Sequence, residues 1–278
     1  MRADQRTRAV EAAVGIAASL GLDAEDVTVL NDSNKLALRL LPCDVLARVA
    51  PVAEQVAEFE VDLAQRLRAA GAPVAAPDPR VGPRAYEKDG FVVTLWTYYE
   101  SVGEPVAPAA YADALARLHA GMRAVDMAAP HCTDRVAEAV QIVEDRALSP
   151  ELADVDRQLL ADTLRSAARR VAGTGQLLHG EPHPGNVLNT RDGVVFIDLE
   201  TCCRGPVEFD LAHAPEEVGA AYPGADAGLL RECRVLVTAM VTAWRWDRND
   251  QFPDGRRMGR EWLERVRAAV GAGPASGA

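Results

Sequence analysis

Apolar residues recur at helical spacing over 7–20, where Ala9, Val10, Ala13, Val14, Ala17 and Leu20 make one face and Gly21 ends it. The period then drops to two. Strands are predicted at 27–30, 35–41 and 44–50, with the turn chemistry of Asn31-Asp32-Ser33-Asn34 between the first two. Over 54–70 the helical period returns through Val56, Phe59, Leu63 and Leu67, with Gly71 just past its end. A Pro-rich connection at 72–80 leads to a hairpin of 85–88 and 91–98 folded at Asp89-Gly90, whose second strand ends in aromatic residues. Beyond it the pattern is mainly helical: 108–122, two helices across 133–171 broken at Ser149-Pro150, then 229–246 and 259–270. One pair of short strands interrupts these helices, turning at Asp192-Gly193 and closing with 194–197. The last residues, 271–278, have the composition of a disordered tail.

At 278 residues the chain is long enough for about two domains, and its 49% hydrophobic and 26% charged shares are those of an ordinary globular protein. No apolar run approaches the ~20 residues of a membrane span. Met1-Arg2-Ala3-Asp4 is not followed by the apolar core of a signal peptide, so the cytoplasm is the expected location. Five Cys, with Cys202 and Cys203 adjacent, make neither a disulfide framework nor a Cys-x-x-Cys metal pattern, and reduced thiols are expected. A net charge of −11 argues against nucleic acid as a partner. It is compatible with a cationic small substrate, although acidic surfaces also serve plain solubility.

The chemistry concentrates in 177–200, where Glu181, Asn186, Asp198 and Glu200 bring oxygen-bearing groups to a loop and to the end of a strand. Oxygen donors with carboxylates suit a hard cation such as Mg²⁺ together with phosphate. Pro182 and Pro184 flank His183 and rule out a regular helix, so the loop is predicted fixed and extended. Zinc held by His179, Glu181 and His183 is the rival reading, but it needs two His one helical turn apart on a helix. The plainest alternative is a Pro-rich surface loop leading into a hairpin.

His179-Gly180-Glu181, four residues, Asn186, and then Ile197-Asp198-Leu199-Glu200 resemble the catalytic loop and metal turn of the aminoglycoside phosphotransferase family, small-molecule kinases related to protein kinases. The family's loop reads His-Gly-Asp, so Glu181 stands where its catalytic Asp would be. The resemblance implies an α+β, two-lobed protein-kinase-like fold, with a small antiparallel β-sheet lobe at 1–97 and a larger, mainly helical lobe at 98–270. It also implies ATP or GTP with Mg²⁺ as cofactors, and transfer of the γ-phosphate to a hydroxyl of a small molecule.

On this resemblance Glu181 orients or deprotonates the acceptor hydroxyl, and Asn186 with Asp198 binds Mg²⁺. Arg48 takes the place of the family's strand Lys and, paired with Glu60 (Glu58 second), holds the α and β phosphates. Ser33 and Asn34 cover the phosphates, and a hinge near 96–100 sets Trp96 and Tyr98 beside the adenine. His179 and Asp210 support the loop, the latter from an Asp-Leu-Ala that opens a helix. Glu200 helps the metal site or faces the acceptor, and Glu216 and Glu217 belong to an acidic run, 208–217, of the kind that holds ammonium groups. His119 reads as a structural helix residue. An amine-bearing antibiotic such as an aminoglycoside is the expected acceptor, with amino alcohols, sugars or a biosynthetic intermediate as alternatives. The departures at Glu181 and Arg48 leave open a catalytically silent, kinase-like binder.

Overall fold

A computed structural model describes all residues except Arg2, Ser33, Asn34, Glu54, Gln55, Thr174 and 272–278. The expectations for Ser33, for Asn34 and for the tail beyond Gly271 therefore lie outside the described residues. In chain order come α1 (Ala3–Ser19), β1 (Ala24–Asp32), β2 (Leu36–Pro42), β3 (Val45–Pro51), α2 (Ala57–Ala69), β4 (Tyr86–Lys88), β5 (Phe91–Thr97) and α3 (Pro108–Ala124). Next are α4 (Cys132–Glu144), α5 (Asp154–Val171), β6 (Gln176–Leu178), β7 (Val187–Thr190), β8 (Gly193–Phe196) and β9 (Cys203–Gly205). The chain closes with α6 (Val207–His213), α7 (Glu216–Ala221), α8 (Ala227–Trp246) and α9 (Gly255–Gly271). The fold is α+β, as the resemblance implied, and no helix is long and apolar enough to cross a membrane among the described residues.

Two compact units divide the chain: Met1–Met127 with Pro184–Thr201, and Ala128–His183 with Cys202–Ala278. The expected boundary at 97/98 separates sheet from helices, whereas this division follows contacts and keeps α3 and the β7–β8 hairpin with the sheet.

The first unit is built on an antiparallel five-stranded sheet in the order β1-β2-β3-β5-β4. Alternation sorts its faces. Leu36, Leu38, Leu40, Val45, Ala47 and Val49 are buried with Ala9, Ala12, Ala13, Ile16 and Ala17 of α1, so the small residues of the helix let it lie close on the sheet. Ala37, Leu46 and Arg48 take the opposite face. β1 is an edge strand, largely exposed and broken by two register shifts, which blunts it against further pairing. The β7–β8 hairpin joins this unit through Phe196, whose N–H donates to the Pro73 carbonyl and whose carbonyl accepts from Ala75 N–H, at 2.8 and 2.9 Å.

The second unit is a helical core. Val136, Leu160, Leu164, Phe209, Leu236 and Met240 are fully or almost fully buried in one cluster fed by α4, α5, α6 and α8. The two-stranded β6–β9 pair lies against it. The break between α4 and α5 is wider than the dipeptide Ser149-Pro150. Ser149 is buried and its hydroxyl donates to the Ile142 carbonyl at 2.7 Å, so the end of α4 is capped by a folded turn and α5 starts only at Asp154. The 182–186 loop is not extended throughout: Pro184–Asn186 forms a single 3-10 turn, because a Pro at the first position of a turn sacrifices no needed N–H. All five Cys are unpaired thiols.

Candidate functional site

A pocket of about 420 Å³ opens in the first unit, within the size range of small-molecule sites. Its lining combines apolar Leu46, Ala75, Trp96, Leu188, Phe196 and Ile197 with charged or polar Lys35, Arg48, Glu60, Asn186, Asp198 and Glu200. Register explains the strand contributions. Trp96 faces Leu46 and Thr94 faces Arg48 across β3 and β5, so both pairs point the same way. Trp96 is 4% exposed and its indole N–H donates to the Thr94 hydroxyl at 2.8 Å. Tyr98 also lines the pocket, with the Arg39 guanidinium 3.9 Å from its ring centroid.

Two cations and three carboxylates interlock at the charged side. Arg48 donates to Glu60 Oε1 and, at 2.5 Å, to Asp198 Oδ1. Glu60, on the first turn of α2, is 2% exposed and also accepts from Leu199 N–H at 3.1 Å. Lys35 Nζ lies 3.4 Å from Glu60 Oε2 and pairs with Glu200. Burial would lower the pKa of Arg48, but Glu60 and Asp198 more than offset it and hold the guanidinium charged. The Glu200 carboxyl is raised by burial and by Asp198, with Lys35 opposing. Asp198 stands at φ 65°, a left-handed turn that ends β8.

The second unit carries the loop with Glu181. Asp210, in the first turn of α6 and fully buried, accepts from His179 N–H at 2.9 Å and from Gly180 N–H at 2.8 Å. Gly180 has φ 93°, which only glycine adopts without strain, and this lets consecutive N–H groups share one carboxylate. Arg135 of α4 grips the same loop from its side: Nη2 donates to Glu181 Oε1 at 2.5 Å, Nη1 to the Gly180 carbonyl at 3.4 Å, and the guanidinium lies 5.0 Å from the Trp244 ring centroid. His179 is fully buried.

The acidic run at 208–217 divides in two. Glu208 accepts from Asp226 N–H and Asp210 holds the loop, whereas Glu216 and Glu217 are both exposed, the former 3.4 Å from Arg234. Glu200 stands in the pocket of the first unit rather than with these residues.

The structure thus brings Arg48, Glu60, Asn186, Asp198, Glu200, Trp96 and Tyr98 to one pocket, and Glu181, His179 and Asp210 to one loop. Reading by sequence missed Lys35 and Arg135. One signal marks the first of them: Lys35 and Lys88 are the only lysines among the 30 basic residues. Arg135 carries no comparable mark, being one arginine on an ordinary amphipathic helix.

Among the described residues no cluster of three or more His, Cys, Asp or Glu could hold a metal by itself. Asn186 and Asp198 supply two oxygen donors facing the pocket, and this fits a Mg²⁺ ion, which takes one or two protein ligands and completes its shell with phosphate and water.

A model of the phosphotransferase enzyme family matches residues 19–233. No curated protein matches the sequence. Among solved structures, the amicoumacin kinase hAmiN, in complex with AMP-PNP, Ca²⁺ and Ami, superposes with a TM-score of 0.69 at 12% identity over 96% of each chain. A choline/ethanolamine kinase family protein from Mesorhizobium loti gives 0.64 at 18% identity over 89% of each chain. A spectinomycin phosphotransferase, APH(9)-Ia, in complex with ADP and spectinomycin gives 0.62 at 12% identity over 92% of this chain and 96% of its own. The fold is protein-kinase-like. The chain belongs to the phosphotransferase enzyme family and is an ATP-dependent small-molecule phosphotransferase.

Proposed function

We propose that the pocket of the first unit binds the nucleotide with Mg²⁺, and that the enzyme transfers the γ-phosphate to a hydroxyl of an amine-bearing small molecule such as an aminoglycoside antibiotic, acting in the cytoplasm. The observation that carries this reading is the bracket Glu60–Arg48–Asp198, which sets a fixed positive charge beside two oxygen donors in a pocket that apolar residues also line. Trp96 and Tyr98 suit a base, and the charged residues suit phosphates. Bound Mg²⁺ would neutralise phosphate charge, held by Asn186 and Asp198. Glu181 orients the acceptor hydroxyl and takes its proton, on a loop whose backbone Asp210 fixes. Glu216 and Glu217 are the exposed acids of the run that would meet an ammonium group. An amicoumacin kinase and a spectinomycin phosphotransferase among the similar structures favour an antibiotic acceptor, and a choline/ethanolamine kinase family protein keeps amino alcohols in view.

Thermal unfolding with and without Mg·ATP and Mg·GTP is the first test, since it needs no acceptor. A ligand at 100 times its dissociation constant stabilises by about 2.7 kcal/mol, which raises Tm by several degrees. A Mg²⁺-dependent shift that Asp198→Ala loses is the expected result. No shift at millimolar nucleotide would sink the proposal, and a parent that binds Mg·ATP but phosphorylates no amine-bearing acceptor would overturn the acceptor class.

A further inference from the structure

We infer that Lys35 is the cation that meets the donor's phosphates, and that Arg48 beside it is a brace between elements. The inference rests on reading the pocket as the nucleotide site.

Lys35 is the residue that leads from the β1–β2 turn into β2, and it is 9% exposed. Ala37 pairs with Arg48 in the sheet, so Lys35, two residues earlier on the same face, is a diagonal neighbour of Arg48. The two cations are committed differently. Arg48 has one terminal nitrogen on Glu60 of α2 and the other on Asp198 after β8, so both ends of its fork join separate elements. Its remaining N–H groups are held in a fixed plane, and swinging the guanidinium toward a phosphate would release one of these carboxylates.

Lys35 is under no such constraint. Its ammonium has three donors and no fixed fork, and it holds two carboxylates of unequal burial: Glu60, 3% exposed at the side chain, and Glu200, 24% exposed. It keeps Glu60 while a phosphate oxygen takes the place of the more open Glu200 carboxylate. Charge gives the same order of events. Two cations face three carboxylates here, so a polyphosphate gains entry only together with its own divalent cation. The choice of residue is also unusual for this chain, which uses arginine for all but two of its 30 basic residues and places one of those two lysines in the pocket.

Calorimetric titration of adenosine, ADP and ATP in Mg²⁺ buffer into the parent, Lys35→Gln, Lys35→Met and Arg48→Gln tests this, with melting curves as the check on folding. Loss of a charged hydrogen-bond donor to phosphate weakens Mg·ADP and Mg·ATP about ten- to a hundredfold in both Lys35 variants, while adenosine changes by less than about twofold. Arg48→Gln lowers the Tm of the free protein and weakens adenosine and ATP by a similar factor. Lys35 variants that bind Mg·ATP as the parent does, or that lose adenosine as strongly as ATP, would overturn the inference alone. A parent that binds none of the three ligands would overturn the nucleotide reading and this inference with it.

Discussion

Arg48 in the first unit and Arg135 in the second are both largely buried guanidiniums paired to a carboxylate at 2.5 Å, yet their surroundings differ in kind. Around Arg48 the acids outnumber the bases, and the shared carboxylates line an open pocket. Around Arg135 the groups are matched: one nitrogen serves the Glu181 carboxylate, another the Gly180 carbonyl, and the flat face meets Trp244, while Asp210 takes the neighbouring N–H groups. The first arrangement is left with negative charge that an incoming cation relieves. The second is complete in itself and holds a backbone still. On the proposed function both properties are needed, because the donor would come and go while a group that aims the acceptor must not wander by even about 1 Å.

The largest expected effect breaks the first arrangement. Glu60→Ala leaves Arg48 with Asp198 and Lys35 with Glu200, but it takes one buried carboxylate from each cation and the acceptor from the Leu199 N–H, and should cost about 3 kcal/mol in urea unfolding. A loss under about 1 kcal/mol would mean that the cations are compensated elsewhere.

The next sharpens the second arrangement through pH. His213 ends α6 with its Nε2 closed off from solvent and, among the described residues, without a partner there; burial, helped by Arg135 and His183 and opposed by Glu181 and Asp210, pushes its pKa down to about 4. The unfolded chain therefore takes up a proton as pH falls through about 6.5 while the folded one does not until about 4, so stability present above 6.5 is lost on acidification. About 2–3 kcal/mol should disappear across that window. His213→Gln should flatten it, and urea midpoints from pH 7 to 4.5 that fall equally in both proteins would refute the assignment. Asp78, held low by its hydrogen bond to Arg80, acts only below that range.

The smallest effect concerns the Arg135–Glu181 pair itself. A double-mutant cycle with Arg135→Gln and Glu181→Gln should show about 1–2 kcal/mol of coupling in unfolding free energy. Simple additivity would show that the loop is held by Asp210 alone.

Periodicity was enough for α1, α2, the β2–β3–β5 core of the sheet and the long helices, because each carries its own apolar face. It failed where partners are remote. β6 and β9 are three residues each and owe their pairing to segments far apart in the chain. The place of β7–β8 beside the sheet depends on Phe196 pairing across Pro73 to Ala75, which no local spacing announces. The charged residues of the pocket could be named from their positions on neighbouring elements, but the ion pairs among them could not. Lys35 shows why: at the exit of a polar turn it reads as a solvated strand end, and only Glu60 and Glu200, supplied by α2 and by the turn after Asp198, turn it inward. Glu216 shows the same limit, since its ion pair with Arg234 joins α7 to α8 and no local spacing announces it.

The β7–β8 hairpin has a consequence for synthesis. The first unit is complete only when 184–201 joins 1–127, and the chain between them belongs to the other unit. At about 5–20 residues per second a ribosome takes roughly 4–15 s to pass from the end of the first segment to the end of the second. During that interval the segment that pairs beside Val74 is missing, and Asp198, Glu200 and the backbone N–H of Leu199 have yet to reach Lys35, Arg48 and Glu60. A nascent chain held at that point carries all the sheet's strands and both pocket cations, with two of their three carboxylates still to come.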